Sequence, residues 1–120
     1  MYRLYHNPRC SKSRAALTLL EEAGTSFTVV RYLDEPLSAS ALRALLTKLD
    51  VSAAEVLRHN EPTFRALGLD QLTAIDTDTT IRALLEEPKL LQRPILETDN
   101  HAVIGRPPEQ IRTLLSCPTS

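Results

Sequence analysis

Residues 2–33, YRLYHNPRCSKSRAALTLLEEAGTSFTVVRYL, decide the fold class. Tyr2 to Tyr5 is short, aromatic and aliphatic, and reads as a strand. His6-Asn7-Pro8 breaks it. From about Ser11 to Ala23 the apolar residues Ala16, Leu17, Leu20 and Ala23 recur at helical spacing, and Gly24 supplies the stop. Phe27 to Leu33 is β-rich and apolar on both faces, which predicts a strand with covered sides. Strand, helix and strand within about thirty residues predict a right-handed βαβ unit. Cys10 then sits at a strand-to-helix turn.

Beyond this unit the pattern turns helical. Ala41, Leu42, Leu45, Leu46 and Leu49 form one apolar stripe. Ser52-Ala53-Ala54-Glu55 has the form of a capping box opening a short helix. Pro62 to Leu67 predicts a further turn or two, stopped at Gly68. Asp76 and Asp78 are candidate caps for a helix carrying Ile81, Leu84 and Leu85, which Pro88 ends. Strands return at Ile95 to Thr98 and Ala102 to Gly105, around a hairpin loop of Asp99-Asn100-His101. Pro107-Pro108-Glu109 then opens a last helix with Ile111, Leu114 and Leu115 inward. The order predicts an α/β fold: a mixed sheet of about four strands, with a helical insertion between βαβ and ββα halves. No linker-like stretch or repeat divides the chain, so residues 1–120 are expected to form one domain.

Composition narrows the function. The 42% hydrophobic and 24% charged content is that of an ordinary soluble protein. No apolar run approaches the ~20 residues of a membrane span, and the N-terminus has no apolar core of a signal peptide. The three glycines, Gly24, Gly68 and Gly105, are too scattered for a dinucleotide or phosphate-binding loop. A net charge of −1 argues against a nucleic-acid partner. The charge is uneven, however: residues 1–14 hold Arg3, Arg9, Lys12 and Arg14 and no acid. Two cysteines and three scattered histidines match no closed metal-ligand spacing, so no metal is expected. Cys10 and Cys117, at opposite ends, suggest no structural disulfide and a reducing, cytoplasmic setting.

Cys10 carries the chemistry. An unperturbed thiol is only ~3% ionised at neutral pH. A helix N-terminus favours the anion, and Arg9, Lys12, Arg14 and His6 are expected to add positive potential. Lowering the pKa to ~6.5 raises the thiolate fraction about 25-fold, while nucleophilicity falls about 8-fold, a net gain near threefold. The larger benefit is a better leaving group and a field that holds an anionic substrate. A phosphatase loop of the C-x5-R kind is excluded, because its arginine would stand where the chain has Ala16. Position 13 is Ser13, so Cys10 lacks the resolving cysteine of a C-x-x-C dithiol and needs an external thiol. The tail cysteine, Cys117, is a weaker candidate for that role.

The segment His6-Asn7-Pro8-Arg9-Cys10-Ser11-Lys12-Ser13-Arg14 resembles the active-site segment of the glutaredoxin-coupled arsenate reductases, which have a thioredoxin-like (glutaredoxin-like) fold. Val56-Leu57-Arg58-His59-Asn60-Glu61-Pro62, Ala66-Leu67-Gly68-Leu69, Pro88-Lys89-Leu90, Arg93-Pro94-Ile95 and Ile104-Gly105-Arg106-Pro107-Pro108-Glu109 extend the likeness in order along nearly the whole chain. The resemblance implies that Cys10 attacks arsenate, that Arg58, Arg93 and Arg106 hold the oxyanion, and that His6 and Ser13 help keep the thiol ionised. It also implies a cis Pro94 near the site. Arginine suits the task, because a tetrahedral oxyanion asks for forked donors from several directions.

The same resemblance implies arsenate or a similar small oxyanion as substrate, glutathione as co-substrate, glutaredoxin as partner, and no bound cofactor. Ser11-Lys12 stands where better-known members carry Gly-Thr, which places the chain nearer a short branch of the family. Two rival functions follow from the same residues. One is a glutaredoxin-like oxidoreductase acting on another oxyanion or a mixed disulfide. The other is a redox regulator that binds RNA polymerase, which Ser13 disfavours by removing the dithiol switch.

Overall fold

A computed structural model describes residues 2–49 and 51–115. These residues form two compact units, residues 2–35 together with 93–115, and Pro36–Gln92. The fold is the expected α/β arrangement: a four-stranded mixed sheet, with the helical segment following its second strand and preceding its third in the sequence.

The first unit contains the sheet, in the order β2-β1-β3-β4. Strand β1 (Tyr2–Tyr5) runs parallel to β2 (Phe27–Val30) and antiparallel to β3 (Ile95–Glu97), which pairs antiparallel with β4 (Ala102–Ile104). Helix α1 (Ser11–Glu22) supplies the crossover from β1 to β2. Register and the two-residue side-chain period of a strand sort the faces. Leu4 stands opposite Leu96, and both join Ala16 and Leu20 of α1 and Ile111 in a fully buried cluster. Ile111 ends a 3-10 turn (Pro108–Ile111) that leads into a short helix, Arg112–Leu115. Arg3 stands opposite Glu97 on the other face.

Three expectations in this unit change. The strand after α1 is shorter than Phe27 to Leu33 and is not covered on both sides. It lies at the sheet edge, bonded to β1 alone, with Thr28 and Val29 exposed. Arg31 to Asp34 turns instead, closed by the Asp34 N–H to the Arg31 carbonyl at 2.9 Å. Ala23 is exposed and caps α1, because Gly24 at φ +70 takes the left-handed conformation that ends the helix.

The second unit is helical. Helix α2 (Ala39–Lys48) is capped by the Ser38 hydroxyl, which accepts from the Ala41 N–H at 3.1 Å, and buries Leu42 and Leu45. A 3-10 turn (Ala53–Val56) follows Ser52, without the side-chain cap that the capping-box pattern suggested. Pro62 opens α3 (Pro62–Ala66), and Gly68 at φ +76 follows it. Asp76 is the cap of α4 (Thr77–Glu86), accepting from the Thr79 N–H at 2.8 Å. The buried face of α4 is Thr80, Ile81, Ala83 and Leu84. Leu85, expected inside, is 46% exposed because the buried face is centred on Thr80 and Leu84 and Leu85 lies about 100° further round the helix. Leu57 and Leu91 form an antiparallel bridge, reinforced by the Arg58 N–H to the Leu90 carbonyl and the Gln92 N–H to the Val56 carbonyl, both at 2.7 Å. No helix among the described residues is long and apolar enough to cross a membrane.

Candidate active site

Cys10 is the N-cap of α1, in extended backbone just before the first helical residue. The turn that delivers it is built from its own side chains. The Arg9 N–H donates to Asn7 Oδ1 at 3.0 Å, and the Cys10 N–H donates to the Asn7 carbonyl at 3.0 Å. The Arg14 guanidinium reaches back to the Pro8 carbonyl at 2.9 Å.

Burial of the half-buried Cys10 thiol pushes its pKa up, but the opposing contributions win and it lies below the ordinary value. Those contributions are the Ser13 and Lys12 backbone N–H groups of the first helical turn and the Arg93 guanidinium, which acts by charge and by hydrogen bonding. The helix N-terminus therefore works as expected. Arg93, at the start of the second half of the sheet, is the basic side chain with the leading charge effect on the thiol, ahead of the expected Arg9, Lys12 and Arg14.

His6 and Ser13 meet directly. Both are buried, with His6 Nδ1 2.6 Å from Ser13 Oγ, which also accepts the Asn7 N–H at 3.0 Å. The expectation that His6 adds positive charge is corrected here. Burial first, then the charges of Arg31 and Arg14, hold the imidazole pKa below its usual value, against a weaker opposing hydrogen bond to the Ser13 backbone. The lowered pKa favours the neutral ring, whose Nδ1 shares a hydrogen bond with the Ser13 hydroxyl. The pair ties the β1 end to the first turn of α1 around the Cys10 turn.

Arg93 and Arg106 are also adjacent. Arg106 donates to the Arg93 carbonyl at 3.1 Å, while Arg93 Nε is buried with no hydrogen-bond partner among the described residues. The Arg93–Pro94 peptide bond is cis, and so is Arg106–Pro107, for which the sequence offered no signal. The Gly105 N–H binds the Pro94 carbonyl at 2.8 Å. A side chain on Gly105 would put a Cβ 2.9 Å from Pro94 Cγ and 3.0 Å from Ile111 Cγ2, so only glycine lets the segments carrying the two arginines approach.

Arg58 lies in the other unit. It pairs with Glu61 at 2.9 Å and donates to the Lys89 carbonyl at 3.3 Å. Cys117 falls outside the described residues. Among the described residues no cluster of three His, Cys, Asp or Glu side chains is placed to hold a metal ion.

Residues 5–114 match the sequence profile of the ArsC family. The chain belongs to the ArsC family. It is 44% identical over 114 residues to an arsenate reductase of Neisseria meningitidis, covering 94% of this chain and 97% of that one. It is also 44% identical over 110 residues to the uncharacterized protein YfgD of Escherichia coli, covering 91% and 92%. Among solved structures, an arsenate reductase from Vibrio cholerae superposes with a TM-score of 0.87 at 36% identity, covering 93% of this chain and 95% of the other. The thioredoxin-like architecture of the ArsC family is thus the architecture of this chain.

Sequence reasoning missed two carboxylates. Glu97, only 3% exposed, accepts the Tyr5 hydroxyl at 2.6 Å and Arg3 Nε at 2.9 Å. Burial, then the Glu97 hydrogen bond, drives the Tyr5 pKa far up and keeps the phenol protonated. Glu61, the partner of Arg58, was the other. The cross-strand register of β1 and β3 is the signal for Glu97, and it is not visible before the strands are paired.

Proposed function

We propose that this ArsC family member reduces arsenate to arsenite through Cys10, with glutathione as co-substrate and glutaredoxin as partner in a reducing, cytoplasmic setting. The observation that carries this reading is the buried, unpartnered Nε of Arg93 beside a thiol whose pKa is lowered. A buried donor without an acceptor is costly, and an oxyanion bound next to the sulfur supplies one. Arg106, anchored on the Arg93 carbonyl, adds a second guanidinium from the same corner. Arg58 is assigned the third position by family likeness, and the His6–Ser13 pair steadies the turn that presents the sulfur.

In the first step the Cys10 thiolate attacks arsenic, an S–As bond forms, and an oxygen leaves as water after protonation. The arginines stabilise the charge on the remaining oxygens. A glutathione thiol then displaces a second oxygen as water. A glutaredoxin thiolate attacks the glutathione sulfur, the As–S electron pair stays on arsenic, and As(V) becomes As(III) as the mixed disulfide departs. Water cleaves the remaining Cys10–arsenic bond and releases arsenite with the thiol restored. Purified protein supplied with glutathione and glutaredoxin is expected to turn over arsenate, and Cys10→Ser to abolish it. Equal rates for the two proteins would overturn the assignment.

A further inference from the structure

A cleft of about 410 Å³ opens beside the Cys10 turn, walled by residues 6–9 on one side and by Arg31, Leu33 and Asp34 on the other. That volume suits a small molecule, for which sites run ~300–1,000 Å³. Its charges are specific. Arg31 Nε lies 3.3 Å from Asp34 Oδ2, and both side chains are more than half exposed. Such exposed pairs are weak, so either member can exchange its partner for a ligand group of like charge. Arg9, also exposed, leaves the cleft with a surplus positive charge. Leu33, 43% exposed, provides an apolar strip between the charged ends.

A basic and an acidic group side by side complement the carboxylate and ammonium of an α-amino acid head. The separate cation calls for a second carboxylate farther along the same molecule. We propose that this cleft seats the reducing thiol, a peptide-like thiol of the glutathione class. Asp34 takes its ammonium, Arg31 the neighbouring carboxylate, and Arg9 the distant carboxylate. The inference rests on the arsenate chemistry above, in which Cys10 has no resolving cysteine at position 13 and an outside thiol must reach its adduct. Arg9 lines the cleft and directly precedes Cys10 in the chain, so a ligand held on Arg9 lies against the turn that carries the sulfur. At that step an S–As bond forms and an As–O bond breaks. The thiol proton leaves with the oxygen as water, and no electrons change hands.

The test is titration of the full chain with S-methylglutathione, followed by amide NMR shifts. This probe has no free thiol and requires no arsenate. Saturable shifts are expected at residues 6, 7, 9 and 31–34, with affinity falling roughly tenfold in Arg31→Glu and in Arg9→Glu. Both side chains are exposed, and the spectra themselves report whether each variant is folded. Absence of saturable shifts in the cleft would overturn the proposal, as would unchanged affinity in both folded variants. Binding without any arsenate turnover would remove the arsenate reading and keep the cleft. Turnover without binding would do the reverse.

Discussion

At Cys10 two opposing effects act on one sulfur. Burial favours the thiol, and the Ser13 and Lys12 N–H groups with Arg93 favour the thiolate. The second set wins, so iodoacetamide alkylation of Cys10 is expected to titrate with a midpoint below the ordinary ~8.5 of a free cysteine. Arg93→Gln removes a charge and a donor, and the midpoint should move upward. A midpoint that ignores this substitution would show that Arg93 does not act on the sulfur. His6 gives a stability prediction. Its folded ring binds a proton more weakly than a free imidazole at ~6.5, so the unfolded chain takes up more protons as the pH falls below that value. Stability contributed by neutral His6 is complete above this range and is lost as the pH drops through the folded value. His6→Asn, compared with the parent by urea unfolding at about pH 5.5 and pH 7.5, should show a smaller acid loss.

At the scale of elements, the site depends on close approach between the start of β3 and the turn after β4. Gly105 allows it, since any Cβ there meets the Pro94 ring and the buried Ile111. Neither neighbour is the free end of a flexible chain. Gly105→Ala is therefore expected to cost about 1–3 kcal/mol in denaturant unfolding and to disturb the placement of Arg93 and Arg106. Local patterns served the helices well. The α1 boundary, the Gly24 and Gly68 stops and the Asp76 cap all follow from residue types whose preferences act within one or two turns. The same patterns misjudged β2 and Leu85, because coverage of a face depends on which element packs there.

At the scale of the molecule, the β1–β3 pairing joins the beginning of the chain to its final third through a charged network. Glu97 is buried and receives both Tyr5 and Arg3. Glu97→Gln should cost about 2 kcal/mol, the worth of hydrogen bonds to a charged group, read as a lowered urea midpoint with an unchanged slope. No loss would mean that the neutral amide satisfies both partners as well as the carboxylate does.

The sequence by itself determined the α/β order, the place of Cys10 at the opening of a helix, and the family, through motifs spread along the chain. These properties rest on backbone preferences and on the order of residues, which are local. Tertiary structure alone decided which charge faces the sulfur. The basic run around Cys10 pointed to Arg9, Lys12 and Arg14, yet Arg93 has the leading charge effect on the sulfur, and the His6 pKa is lowered rather than raised. The physical reason is that electrostatic influence follows distance and burial in space. Strand register and the approach of chain segments set both, and neighbouring positions in sequence do not.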